Sequence, residues 1–116
     1  MQKEHKCGNT PLIRVNGFEI GNLFIKDESK NPFGTYKDRR SAEIVSQAHK
    51  RGIPKLVLIS SGNGCYSLVH YAKQAHLKTI CIIDRGLMTS VKHILERYVD
   101  KLVEVNLSRK VLQKKD

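Results

Sequence analysis

Four short apolar runs, none longer than a strand, alternate with three stretches whose apolar residues recur every three or four positions. This alternation limits the chain to very few architectures. The runs lie at residues 23–28, 56–60, 79–83 and 102–105, bounded by Gly, Pro and Asn. The first helical stretch covers residues 38–51, carries Ala42, Val45 and Ala48 on one face, and closes at Gly52. Cys65, Leu68, Val69, Ala72 and Ala75 form a second stripe, and Val91, Ile94, Leu95, Tyr98 and Val99 a third. The order is β-α-β-α-β-α-β, and strands joined by helices of this length run parallel through right-handed crossovers. The expected fold class is therefore α/β: an open three-layer sheet of about four mainly parallel strands with flanking helices. Residues 23–107 form this domain in the pattern, residues 1–22 an N-terminal arm, and residues 108–116 a basic tail. The arm from Cys7 to Val15 needs something to lie against. The loop after the first strand is long, which leaves open that this strand pairs elsewhere.

The rest of the composition narrows the function classes. A chain of 116 residues is one domain by length. Its apolar runs are too short to cross a bilayer, and Met-Gln-Lys-Glu-His-Lys has no apolar stretch after its charges, so a cytoplasmic address is expected. Cys7, Cys65 and Cys81 are odd in number and lack a short paired spacing, which suits reduced thiols. Cys81, in an apolar run, reads as a core residue. His70 and His76 have no cysteine pair at ligand spacing, so no metal is expected. The formal charge of +10 attracts anions of many kinds. Its basic residues are spread along the chain, gathering only at Arg109-Lys110 and Lys114-Lys115, without interleaved aromatics. A small anion is the expected partner rather than nucleic acid or membrane.

In an open parallel sheet, ligands collect where strands end and helices begin. Three loops qualify, at residues 29–37, 60–65 and 84–90. Ser60-Ser61-Gly62-Asn63-Gly64 lets the backbone approach a ligand and present N–H groups at a helix start, which suits a carboxylate or phosphate. The same residues also read as an Asn-Gly turn with Ser61 or Asn63 capping the helix. In Asn31-Pro32-Phe33-Gly34-Thr35-Tyr36-Lys37-Asp38-Arg39, a stiff turn leads to a lysine at the mouth of the first helix. The positive end of the helix dipole disfavours its charge and favours a nucleophilic amine. On the residues alone, Lys37 is also readable as a surface lysine of a basic chain.

Together these segments resemble the fold-type II pyridoxal-phosphate enzymes, a group that includes threonine synthase, cysteine synthase and threonine dehydratase. Gly8-Asn9-Thr10-Pro11-Leu12 is similar to the family's opening motif, and residues 31–39 to its cofactor-lysine segment. Ser61-Gly62-Asn63 resembles its asparagine loop. Within the family, Asp27-Glu28-Ser29-Lys30-Asn31-Pro32 and the short stretch from Lys37 to Asn63 look most like threonine synthase. The resemblance runs from Gly8 to about Val105.

The resemblance implies pyridoxal 5'-phosphate as cofactor, carried by Lys37, with Asn63 bonded to its ring hydroxyl. It implies that Lys37 then serves as the base on the substrate. Ser61, Asn63, Gly64 and Cys65 would hold an amino-acid carboxylate, and Lys92 a substrate phosphate. The implied chemistry is replacement or elimination on amino-acid substrates, including O-phosphohomoserine to threonine. Four departures stand out. Phe33 replaces a small polar residue and is expected to crowd the cofactor edge. Gly64-Cys65 replaces a common Thr or Ala pair, Asp84 a frequent proline, and Val99-Asp100 a common Gly-Ala. The family's glycine-rich loop for the cofactor phosphate has no counterpart in these residues, so weak cofactor binding is expected. A fragment or truncated relative, inactive by itself, follows. The alternatives are a non-catalytic interaction module, expected to dimerise or to bind a partner, and a cysteine synthase-like or threonine dehydratase-like enzyme completed by a second chain.

Overall fold

A computed structural model describes residues 6–107 apart from Phe18, Ile20 and Ser61. The basic tail therefore lies outside the described residues. Strands β1 (Leu12–Val15) and β2 (Leu23–Lys26) form an antiparallel hairpin in the register Leu12↔Lys26 to Val15↔Leu23. A single 3-10 turn (Glu28–Lys30) follows. Then come α1 (Lys37–Lys50), β3 (Lys55–Ile59), α2 (Asn63–Gln74), β4 (Lys78–Asp84), α3 (Thr89–Glu96) and β5 (Lys101–Val105). Strands β3, β4 and β5 make a parallel sheet in that order.

The α/β class and the flanking helices are as expected, but among the described residues the parallel sheet has three strands. The first expected strand, β2, pairs with the arm instead. Its hairpin partner is only a few residues away in sequence, so this pairing closes a short loop at low entropic cost. The arm thus finds the surface it lacked.

The core lies between the sheet and α2. Thr79, Cys81 and Ile83 of β4 point to the helices and are buried, with Leu58 and Leu102 beside them on β3 and β5. Cys65, Leu68, Val69 and Ala72 of α2 meet them. Full burial of each larger side chain contributes about 1.5–3 kcal/mol. In α3 only Leu95 is fully buried, while Ile94 stays exposed, as does Tyr98 just after the helix. Val45 of α1 packs on Leu68 and Tyr71 of α2. Successive right-handed crossovers in one direction place α2 and α3 on the same face of the sheet. The other face, with Val57 59% and Ile59 49% exposed, has no helix over it among the described residues. The described residues thus supply two of the three expected layers.

Two of the sequence departures close the ends of the sheet. Asp84 accepts hydrogen bonds from the N–H groups of Gly86 (2.7 Å) and Leu107 (2.8 Å), tying the end of β4 to the end of β5. Asp100 accepts from the Thr79 N–H (2.8 Å) and pairs with Lys78 (3.1 Å), tying their starts. The Thr79 N–H is the main reason that the Asp100 carboxyl sits below its ordinary range.

The arm is held to α1 by a polar clasp. The Glu28 carboxylate accepts from Thr10 Oγ1 (2.8 Å), Asn31 Nδ2 (2.8 Å) and both Nε and Nη2 of Arg39 (2.8 and 2.9 Å). The Arg39 guanidinium, with Thr10 helping, holds this carboxyl down to about 2. Gly8 must stay small for the clasp to form: its φ is +91°, and a Cβ there would lie 2.9 Å from Arg39 Nη1.

Candidate functional site

The segment before α1 folds around its own polar groups. The Gly34 N–H donates to the Asn31 carbonyl (2.9 Å), closing the turn that Pro32 and Gly34 predict. The Phe33 N–H donates to Asp38 Oδ2 (2.7 Å), and the Lys37 N–H to Thr35 Oγ1 (3.2 Å). Lys37 is thereby fixed as the first residue of α1, half-buried. Its Nζ lies 4.6 Å from the centroid of the Tyr36 ring, a favourable cation–π distance. Among the described residues no hydrogen bond or ion pair engages that amine.

Asp38 locks this helix start to the next one. It is fully buried, and its Oδ1 accepts from Ser67 Oγ of α2 at 2.6 Å. A charge-assisted bond of this kind is shorter and stronger than a neutral one. One turn earlier on α2, a Cβ at Gly64 would lie 3.0 Å from Arg40 Nη2 and 2.6 Å from Ser60 Oγ. A Cβ at Gly62 would lie 3.3 Å from Val91 Cγ1 and 3.8 Å from Leu87 Cδ1. Residues 84–90 therefore approach the first turn of α2 through Leu87, and α1 approaches it through Arg40. Gly62 has φ +136°, a conformation that side chains rarely adopt, so the turn needs glycine there.

The sequence-derived candidates fall into two groups. Asn63 is the first residue of α2 and exposed, and Gly64 follows it, buried. The residue at the helix cap is Gly62 and no side chain caps α2, so the capping role weighed for Asn63 is not seen. Ser61 lies outside the described residues. Cys65 turns its side chain into the core, fully buried with Sγ near the Leu58 carbonyl (4.0 Å), so only its N–H faces the loop. That sulfur and burial together push the neighbouring Cys81 thiol up. Lys92 is engaged elsewhere: its Nζ donates to the Arg85 carbonyl (2.7 Å) and to Glu104 (3.2 Å).

Phe33 packs against α2. Its ring stacks on His70 (4.6 Å between centroids, 11° between planes) and meets Tyr71 edge-on at 5.0 Å. Tyr66 completes the group against His70 at 4.6 Å. The bulky ring is accommodated by packing on α2. Burial, with Lys73 nearby, pushes the His70 imidazole below its ordinary range. The lock between Asp38 and Ser67 and the approach of Arg40 to Gly64 were not read from the sequence. The available signal was Ser67, a polar residue four positions after Asn63 on the buried face of α2.

Lys37 and Asn63 open neighbouring helices beside a parallel α/β sheet, the class of fold in which small ligands collect at the carboxyl edge. The model of the family described as "Pyridoxal-phosphate dependent enzyme" matches residues 4–115. This chain belongs to that family. It is 35% identical over 83 residues to threonine synthase of Methanocaldococcus jannaschii, covering 68% of this chain and 20% of that protein. It is 30% identical over 100 residues to cysteine synthase of Buchnera aphidicola, covering 83% of this chain and 32% of that one. The fold is also that of the O-acetylserine dependent cystathionine beta-synthase of Helicobacter pylori, with a TM-score of 0.74 at 22% identity over 88% of this chain and 36% of that one. The chain thus spans between a fifth and about a third of the length of these relatives. No helix among the described residues is long and apolar enough to cross a membrane.

Proposed function

We propose that these residues form the cofactor-lysine part of a threonine synthase-like enzyme, with Lys37 as the residue that carries pyridoxal phosphate. One observation supports this most: the Asp38–Ser67 bond holds the starts of α1 and α2 together, so Lys37 and Asn63 open adjacent helices. The residues fit the lysine and ring end of the cofactor. The Lys37 amine has no competing hydrogen bond or ion pair among the described residues. Asn63 is exposed at the start of the adjacent helix.

When bound, pyridoxal phosphate supplies an electron sink for charge developing on an amino acid's α-carbon. Lys37 holds the cofactor and, once free again, takes or returns the proton at that carbon. The N–H groups of Asn63, Gly64 and Cys65 at the start of α2 meet the substrate carboxylate, where the helix dipole favours negative charge. Lys92 takes part only if a substrate phosphate draws it from Glu104. In this reading the grip on the cofactor phosphate comes from residues other than 6–107. The chain alone binds the cofactor weakly and does not turn over substrate.

Reductive trapping tests the assignment. The chain is mixed with pyridoxal phosphate, reduced with borohydride, digested and mapped by mass spectrometry. Label concentrated on Lys37, and lost in Lys37→Ala without gain elsewhere, is the expected result. Label spread over the exposed lysines in proportion to their accessibility would sink the proposal.

A further inference from the structure

Arg39 and Arg40 are neighbours in α1 that turn in different directions. Arg39 is held by the Glu28 carboxylate through Nε and Nη2. Arg40 reaches across to α2 instead, with Nη2 3.0 Å from the point where a Cβ at Gly64 would stand. Ser60 Oγ lies 2.6 Å from the same point. Gly64 is one of the departures in the sequence, and the guanidinium enters the space that a side chain there would fill. Among the described residues no hydrogen bond or ion pair engages Arg40. Asp38, two positions before it, has both oxygens bonded already, one to the Phe33 N–H and one to the Ser67 hydroxyl. Arg40 is exposed, so a solute can reach it.

The surroundings are short of negative charge. A guanidinium keeps its proton at any ordinary pH, and this one stands where the positive end of the α2 dipole points. The Tyr66 N–H donates to the Gly62 carbonyl (2.9 Å), so the N–H groups of Asn63, Gly64 and Cys65 precede the first helical bond. A guanidinium and three backbone donors, with no acidic side chain bonded to them among the described residues, are complementary to an anion. The fork of a guanidinium fits the two oxygens of a planar carboxylate, whereas a lysine offers only a point charge.

We infer that Arg40 is a substrate-recognition residue, whose guanidinium grips the carboxylate received at the start of α2 and restricts the site to free amino acids. Amides, esters and peptide-linked residues lack the charge that it pairs with. The fit needs glycine at position 64, because a side chain there would take the place of the guanidinium. The inference rests on the proposed reading of the α2 start as the carboxylate site. It adds a charged side chain from α1, one turn along the helix from Lys37, to the backbone donors of α2.

Two measurements on the full chain test it. In the first, the isotopically labelled chain is titrated with L-alanine and with L-alaninamide at neutral pH, and amide shifts at Asn63, Gly64 and Cys65 are followed by NMR. L-alanine should move these amides and L-alaninamide should not. Arg40→Gln should weaken the L-alanine titration about tenfold, and Arg40→Lys should recover only part of that loss. In the second, arginines are modified with phenylglyoxal and mapped by mass spectrometry. L-alanine should protect Arg40 and leave the exposed Arg51 and Arg85 unprotected; this measurement needs no variant. Unchanged affinity in Arg40→Gln, no response of the three amides, or equal modification of Arg40 with and without L-alanine overturns the inference. Reductive trapping at Lys37 is read separately. Label concentrated on Lys37 with an Arg40→Gln chain that binds normally removes this inference alone, while scattered label with Arg40 still protected removes the cofactor assignment alone.

Discussion

The parallel-sheet unit and the β1–β2 hairpin are both made largely of apolar residues, yet they are held in opposite ways. In the sheet unit, Cys81, Ile83, Val69 and Leu95 are removed from water and packed on one another. In the hairpin, Leu12, Ile13, Leu23, Phe24 and Ile25 all remain exposed. What holds the hairpin is polar: the Glu28–Arg39–Thr10–Asn31 clasp, the Asp27 N–H bonded to the Pro11 carbonyl (2.9 Å), and the contact of the Lys26 amine with the Thr10 carbonyl. A two-stranded hairpin by itself is marginal in water. The two regions should therefore respond to different perturbations, one to lost volume and the other to lost charge.

Truncating Ile83 to Ala should produce the largest effect, about 3 kcal/mol of lost stability in urea unfolding, because the site is fully buried and its neighbours cannot collapse completely. A loss under about 1 kcal/mol would mean that the sheet unit is packed no better than the hairpin. Asp38→Ala comes next, at about 2–3 kcal/mol, since it leaves the Phe33 N–H and the Ser67 hydroxyl without their charged acceptor. Asp38→Asn keeps an acceptor and should recover part of that loss.

Acid should separate the regions without a mutation. The Glu28 carboxyl is held at about 2 against an ordinary value of 4.5, so its folded-state value is depressed. Its contribution is fully present above about 4.5 and disappears as the pH falls toward about 2. Over that window, amide exchange at residues 12–15 and 23–26 should accelerate while residues 80–83 remain protected. Arg39→Ala should produce the same pattern at neutral pH and weaken its pH dependence, leaving the smaller part that Thr10 and Asn31 supply. Simultaneous loss of protection in both regions would show that they unfold as one unit. The smallest effect is expected for Phe24→Ser, within about 0.5 kcal/mol, because the ring is exposed and packs on no core residue.

Much of the fold was legible in the chain because the two periodicities are local. Alternation and runs marked β3, β4 and β5 within about a residue of their observed limits, and the 3.6-residue stripes marked α1, α2 and α3. Lys37 and the asparagine loop were also visible, since a lysine at a helix mouth and a glycine pair before a helix are unusual over a few residues. Local patterns cannot report a partner chosen between distant segments. The long loop after residues 23–28 left open that this strand pairs outside the parallel sheet, but nothing local named Leu12–Val15 as its neighbour.

Residue type, spacing and charge thus determined the α/β order, the three loops and the candidate lysine, all properties of short stretches of backbone. Only the tertiary structure decided which candidates stand together. It joined Lys37 to the start of α2 through Asp38 and Ser67, turned Cys65 inward, gave Lys92 to Glu104 and laid Phe33 on His70. It also set α2 and α3 on one face of the sheet, since which side a crossover covers depends on the direction in which successive strands are added. These outcomes depend on the packing of segments far apart in the chain, where hydrogen-bond geometry and excluded volume choose among contacts that the sequence permits equally.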